Sequence, residues 1–487
     1  MYILRHMTPI EYILLDNGPM ISSELARKLA KTESISINTA SQRVSREPNL
    51  ERLDGFFKSN QQLLFLPKQE ENGEVLKLLA QQMELYGKKY WFTLNAIRYH
   101  AGSISRVFLE TYANYPIKPL VSHVTFDEVM QRFVTENILV YGLNNYSFSP
   151  RLRYKGLNHF LSNTLETIKL NVLDNFKSQA QNIGLVSFDS GELFAEYGNF
   201  RWAFKGVCPL KGLKNGLSFG FVLADILLGR PTYKKDIEFF IKKIATVQSF
   251  RNASRILPVL LVDSLDKDAL MTLKEKGVII GFIKELFGTK YAETLNDLIT
   301  ILTNAAASLA KNPNKYLELI AELRKYNDGL LKNIKGALFE YVAGHYYIFK
   351  GASINMGWEI FENNALHEMD VMAIFGDRVI VAECKGRISP TPIEDVNNWI
   401  RKKVPAFRVW LEKQEINRNK KMEFEYWSSA GYTEDALNRI EDIRAEQQQK
   451  KHAVVFLEPK EIMERAKEMK NKKLQNELNT FFFSSNV

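Results

Sequence analysis

Cysteine and histidine are scarce in this chain. Among 487 residues there are two cysteines, Cys208 and Cys384, and seven histidines. That excludes a disulfide scaffold or a cysteine-built zinc cage, and so few thiols suit a reducing compartment. Long hydrophobic runs are missing as well: the longest, within LSFGFVLADILLG, is about 13 residues, where a membrane-spanning helix needs about 20. No membrane association is expected. The opening residues, MYILRHMTPIEYILLDNG, scatter charge among apolar positions and have no signal-peptide core, so a cytoplasmic location is expected. No GxxxxGK[ST] run occurs, so any ATP-driven step would have to come from another protein. What is present is ordinary globular material, 45% hydrophobic and 25% charged, with a net charge of +9. That length supports several cores. The mild basic excess suits a polyanionic partner without requiring one.

A multidomain, mixed α/β chain is expected. Residues 1–70 predict three helices and a hairpin. TPIEYILLDNG ends at Gly18, ISSELARKLAKTE has Ser22 or Ser23 as N-cap, and SINTASQRVSRE is capped by Ser36 and stops before Pro48. LERLDGFF and QQLLFLP then alternate around KSN. This order resembles the winged-helix family. The resemblance implies that the third helix enters a DNA major groove with Asn38, Ser41, Gln42, Arg43 and Arg46 near its exposed face. Residues 71–175 read as a helical region whose aromatics belong to a core. Residues 176–300 read as an α/β domain in which LSFGFVLADILL, ILPVLLVD and VIIGFI are strands joined by helical crossovers, hence parallel. Residues 301–330 form a helical connector, and residues 331–487 a final domain.

That final domain contains HEMDVMAIFGDRVIVAECKG, residues 367–386. Two apolar runs flank a Gly376-Asp377 turn of a length that favours primed geometries. With Phe375 opposite Arg378, the register places Asp370 opposite Glu383. Cross-strand Cβ atoms would then lie roughly 4.5–5.5 Å apart. Like charges so placed need an offset, and a divalent cation between them would supply it. Glu383 and Lys385 share a strand face, and hard oxygen ligands suit Mg2+ or Mn2+. The Cys384 carbonyl could add a ligand. Upstream, Glu340 sits in the apolar helix IKGALFEYVAGHYYIF with Gly336 and Gly344 four residues to either side. Glycine inside a helix costs roughly 1 kcal/mol, so a close approach to a neighbour is expected there.

Glu340 on a helix, Asp370 on a strand, and Glu383-Cys384-Lys385 on the next strand followed by a helix resemble the PD-(D/E)XK nuclease core. The stretch is most similar to its restriction-endonuclease and Holliday-junction-resolvase branches, where an acid two residues before the aspartate, here Glu368, is also frequent. The resemblance covers roughly residues 331–460. It implies metal-dependent phosphodiester hydrolysis: Asp370 and Glu383 holding Mg2+ or Mn2+, Lys385 orienting the attacking water or stabilising charge on the phosphate, and Glu340 tuning the ion or holding a second one. Arg401, Lys402 and Lys403 are candidates for backbone contacts. His345 and His367, near the site, are expected to be structural. A second E-x-K triplet, Glu468-Met469-Lys470, reads as a solvated helix face.

The middle domain echoes the last. FVLAD, a helix and VLLVDSLDKDAL match VIVAECK, a helix and FEYWSSAGYTEDAL in order. Asp225 falls where Glu383 falls, and Leu227 where Lys385 falls, so a degenerate nuclease-like copy is expected. The expected function is a DNA endonuclease, of the kind found in restriction or anti-phage defence. Double-strand cutting needs two sites, hence a homodimer. Two alternatives stand beside it: a nucleic-acid-binding or regulatory protein with an inactive nuclease fold, and an effector nuclease switched on by a partner protein or ATPase.

Overall fold

The computed structural model describes residues 7–71, 74–121, 123–142, 144–152, 154, 156–210, 219–251, 254–325, 328–362, 365–417, 420–447 and 452–483. The chain is mixed α/β, and its described residues form four sheets, two of three strands and two of five. Its packing divides into two compact units, Met1–Ser162 with Val172–Leu286, and Asn163–Asn171 with Phe287–Val487. The second unit therefore takes in the helices Thr289–Thr303, Ala305–Lys311 and Lys315–Leu323 ahead of residue 331. Among the described residues no helix is long and apolar enough to cross a membrane.

In the first unit, Thr8 and Glu11 form a reciprocal capping box on the helix Pro9–Asn17. Ser36 caps Ile37–Arg46 through the Thr39 N–H. Between them, Ser22–Glu33 starts without a side-chain cap. The Ser22 hydroxyl bonds instead to Gln61 Oε1 at 3.0 Å, and Ser23 supplies no cap. A small antiparallel sheet orders Met20–Ile21, Leu63–Phe65 and Glu51–Leu53. Its central strand is apolar on both faces. Leu63 and Phe65 enter a core that runs on to Val278, while Leu64 and Leu66 enter a separate core with the three helices, the two-residue period of a strand.

Residues 71–175 are not wholly helical, as the sequence led us to expect. Ser103–Ser105, Asn145–Phe148 and Leu139–Gly142 form an antiparallel sheet. Strands of three or four residues are too short for an alternation to register. The aromatics Tyr90, Trp91, Phe92, Phe126 and Phe133 are core, as expected.

The middle sheet orders Glu192–Tyr197, Phe200–Cys208, Gly220–Leu227, Ile256–Val262 and Ile279–Phe282, each beside the next. The first two junctions are antiparallel and the last two parallel. Helices Lys234–Gln248 and Lys267–Glu275 make the crossovers. The C-terminal sheet repeats this plan: Ser353–Glu362, Ala365–Ile374 and Arg378–Lys385 are antiparallel, then Lys421–Ser428 and Ala453–Leu457 follow in parallel. Strand order and strand sense are thus the same in both sheets.

Candidate active site

The site grows from the hairpin of Ala365–Ile374 and Arg378–Lys385. Val371, Met372, Ala373 and Ile374 pair with Ala382, Val381, Ile380 and Val379, and Phe375 N–H donates to the Arg378 carbonyl at 2.9 Å. This is the expected register. The turn itself differs from expectation: neither Gly376 nor Asp377 has a positive φ, so it is not a type I′ turn. The ladder between these two strands ends at Val371–Ala382, one step before the two acids. There Asp370 Oδ2 accepts the Cys384 N–H at 2.7 Å, so the carboxylate takes over a backbone role at the strand end.

Asp370 and Glu383 are both buried. Their mutual repulsion is offset inside the chain by two ammonium groups. Lys385 Nζ lies 2.6 Å from Glu383 Oε1 and 3.9 Å from Asp370 Oδ2. Lys403 Nζ lies 2.7 Å from Glu383 Oε1 and 2.6 Å from Oε2. Lys403 ends a π-helical turn, Trp399–Lys403, set between the helices Ile393–Asn398 and Val404–Lys413. Pro405 follows two residues on. It has no N–H to offer the carbonyl four residues back, and the ladder widens there, with Val404 N–H reaching the Trp399 carbonyl.

The helix Asp328–Phe349 brings Glu340 to this end of the sheet. A methyl group on Gly386, just after Lys385, would lie 2.7 Å from Phe339 Cβ, 2.8 Å from the Lys335 carbonyl oxygen and 2.9 Å from Gly336 Cα. Helix and strand end therefore touch through their glycines. Gly344 does the same toward the neighbouring strand, facing Ile354 Cδ1 and Met356 Sδ.

The electrostatics tie these groups together. Burial, then Asp370, raises the Glu340 carboxyl well above the usual range. Burial, then Glu383, raises Asp370. Burial also works against Glu383, but Lys385 and Lys403 outweigh it and hold that carboxyl low. Burial would lower Lys385, and Asp370 and Glu383 outweigh it in turn. Glu368, two residues before Asp370, is pushed up to about 7 by burial and then Asp370. It pairs across the sheet with Glu359, which burial and Glu368 push up to about 8. Several carboxyls thus compete for the charged state, and one ionised acid, Glu383, is clamped by two lysines.

The other candidates fall in different places. Arg401 and Lys402 are exposed on the π turn. Lys403 departs from them: it turns inward to Glu383, because the π turn rotates it off the exposed face. Asn38, Ser41, Gln42, Arg43 and Arg46 are all exposed on one helix of the first unit, with Arg43 paired to Glu33. His345 is buried against the Tyr316 ring, with its pKa lowered to about 4 by burial. His367 packs edge-on to Phe407. Glu468 pairs with Lys350 at 2.6 Å, with its carboxylate half-exposed, far from any role in chemistry. Sequence reasoning missed Glu359 and the inward lysine. A glutamate at strand spacing facing Glu368 was a readable signal for the first. Nothing local signalled the second.

Among the described residues, no three His, Cys, Asp or Glu side chains are grouped to grip an ion as they stand. The donor chemistry still fits a hard divalent cation. Asp370, Glu383 and Glu340 offer carboxylate oxygens, and the raising of Glu340 by Asp370 and of Asp370 by Glu383 is what a bound cation would relieve. Cys384 gives its N–H to Asp370, its thiol is buried, and its carbonyl remains the candidate backbone ligand.

No family model matches this sequence, and no curated protein matches it. A solved structure, that of protein VC1899 from Vibrio cholerae, is similar at 11% identity over 49% of this chain and 53% of that one, with a TM-score of 0.17. This chain thus spans about half the length of that protein, and a likeness of that size carries no argument about fold or activity.

Proposed function

We propose that the C-terminal unit is a divalent-metal-dependent nuclease that hydrolyses phosphodiester bonds in duplex DNA. The observation that carries this is the convergence of Glu340, Asp370, Glu383 and Lys385 at one strand end, from a helix and two strands, with the electrostatics of a single coupled site. Asp370 and Glu383 would hold Mg2+ or Mn2+, with Glu340 close enough to tune it. Such an ion supplies Lewis-acid activation of the phosphodiester and of the attacking water. Lys385 stabilises charge as it builds on the phosphate, and its ammonium already sits against Glu383. Arg401 and Lys402 face outward to meet the backbone. The first unit supports target binding: its helix, strand, helix, helix, strand, strand order is that of a winged helix, and Ile37–Arg46 presents a polar and basic face. A role in restriction or anti-phage defence, and a homodimer for double-strand cutting, belong to this reading.

The test is supercoiled plasmid with Mg2+ or Mn2+, comparing the wild-type protein with Glu383→Ala and Lys385→Ala. Nicking or linearisation by wild type should fall about 100-fold or more in both variants. Cleavage that survives in both variants would place the chemistry elsewhere. No cleavage by wild type on any DNA tested would favour the inactive, binding-only alternative.

A further inference from the structure

Lys403 is a residue the proposed chemistry does not explain. Its ammonium spans both oxygens of Glu383 at 2.6 and 2.7 Å, although Lys385 already neutralises Oε1 at 2.6 Å. One buried carboxylate does not need two ammonium groups to stay ionised, and a π turn is an uncommon device for aiming a side chain.

The middle sheet shows the same device in a different state. Its ladder also ends one step before an acid: Phe204 pairs with Ala224, and Asp225 follows. Continuing that register by one puts Ala203 where the C-terminal sheet has Asp370, and Leu227 stands where it has Lys385. Asp225 is gripped by Lys243, 18 residues on along the crossover helix, as Glu383 is gripped by Lys403, 20 residues on. The two clamps differ in closure. Lys243 and Asp225 are both fully buried, and the three donors of Lys243 are used by Asp225 Oδ2, the Thr111 carbonyl and the Arg201 carbonyl. That clamp cannot open without stranding buried charge. Lys403 keeps 20% of its side chain exposed, and among the described residues its ammonium bonds to the two oxygens of Glu383. Its long stem can carry the ammonium to water without leaving a buried amine behind.

We infer that Lys403 is a removable counter-ion: it holds the Glu383 carboxylate in place in the metal-free protein and is displaced by the divalent cation. In the middle sheet, where the second acid and the strand lysine are absent, the equivalent pair is locked and purely structural. Lys403 is thus a positioning residue that sets metal affinity by competition. Its displaced ammonium moves outward, toward the side where Arg401 and Lys402 are exposed. This rests on the metal-site reading above, and the test separates the two.

Mn2+ binding to the full chain would be measured by the electron paramagnetic resonance signal of free Mn2+, for wild type, Lys403→Met, Lys403→Arg and Glu383→Gln. Thermal unfolding of each variant would confirm that it is folded. Lys403→Met should bind Mn2+ about tenfold more tightly than wild type, since a close charge pair no longer competes. Lys403→Arg should restore wild-type affinity, and Glu383→Gln should bind at least about tenfold more weakly. If Glu383→Gln loses binding but Lys403→Met binds no more tightly than wild type, the competition is refuted and the metal site stands. If wild type binds no Mn2+ that Glu383→Gln abolishes, the metal-site reading falls, and this inference with it.

Discussion

At the scale of single residues, the site is a contest among acids over which of them stays charged. Glu383 stays charged because two lysines outweigh its burial. Glu359 and Glu368, paired across the sheet, have no such help that outweighs burial. The consequence for stability has a definite sign. A carboxyl pushed up to about 8, as Glu359 is by burial and then by Glu368, keeps its proton in the folded chain. In the unfolded chain it releases that proton near pH 4.3, roughly. Its contribution is fully present below the unfolded value and is lost as pH rises through about 8. Glu359→Gln mimics the protonated form. In urea unfolding we expect it to match wild type most closely near pH 4 and to gain on it as pH rises to about 8, by roughly 1.4 kcal/mol per pH unit at most. A difference that does not vary with pH would refute this assignment of charge.

At the scale of elements, the contact that places Glu340 is a glycine seam. The helix Asp328–Phe349 reaches the strand end because Gly386 has no side chain to hold it off Phe339, Lys335 and Gly336. Gly386→Ala would put a methyl into backbone atoms that cannot yield. It should destabilise the chain by about 1–3 kcal/mol and lower cleavage further than that loss explains, because Glu340 is pushed from Asp370. Gly344→Ala meets chiefly the tip of Leu309 at 2.9 Å, a flexible group that can turn aside. It should cost less than about 1.5 kcal/mol and leave cleavage intact. Chemical unfolding and plasmid cleavage on the two variants would check this, and equal effects would mean that the seam does not position the acid. Elsewhere the same sheet is secured by a buried Glu425, held by Arg465 at 2.6 and 3.0 Å and by the Tyr347 hydroxyl at 2.6 Å. All of its partners are satisfied, as a buried carboxylate requires.

At the scale of the whole molecule, one strand plan occurs twice, with the same order and senses. Only the C-terminal sheet carries the two acids and the strand lysine. The other keeps an acid and a helix lysine as a sealed pair, and burial lifts Asp225 to about 6 against the pull of Lys243. Removing one member strands the other. Asp225→Ala and Lys243→Met should each cost about 3–5 kcal/mol, and the double variant should cost clearly less than their sum. Mn2+ binding should be unchanged in the double variant. Additive costs in chemical unfolding would show that the pair is not a coupled unit, and a loss of Mn2+ binding would mean that the middle sheet has kept part of the chemistry.

Much of the site was determined by the sequence alone, because its rules are local. A two-residue turn and a strand period of two fix which residues of 365–385 oppose one another. That was enough to bring Asp370, Glu383 and Lys385 to one end of a hairpin. The repeated order of strands and helices was legible for the same reason, since each element is written in its own periodicity. The short strands at 103–105, 139–142 and 145–148 were not legible, because three or four residues carry too little pattern. Only the tertiary structure decided the rest. Glu340 comes within electrostatic reach of Asp370 on a helix whose Gly336 lies against Gly386, and Lys403 meets Glu383 from a π turn before Pro405. Those meetings depend on how whole elements pack, and the packing is set by side chains across the core rather than by neighbours along the chain.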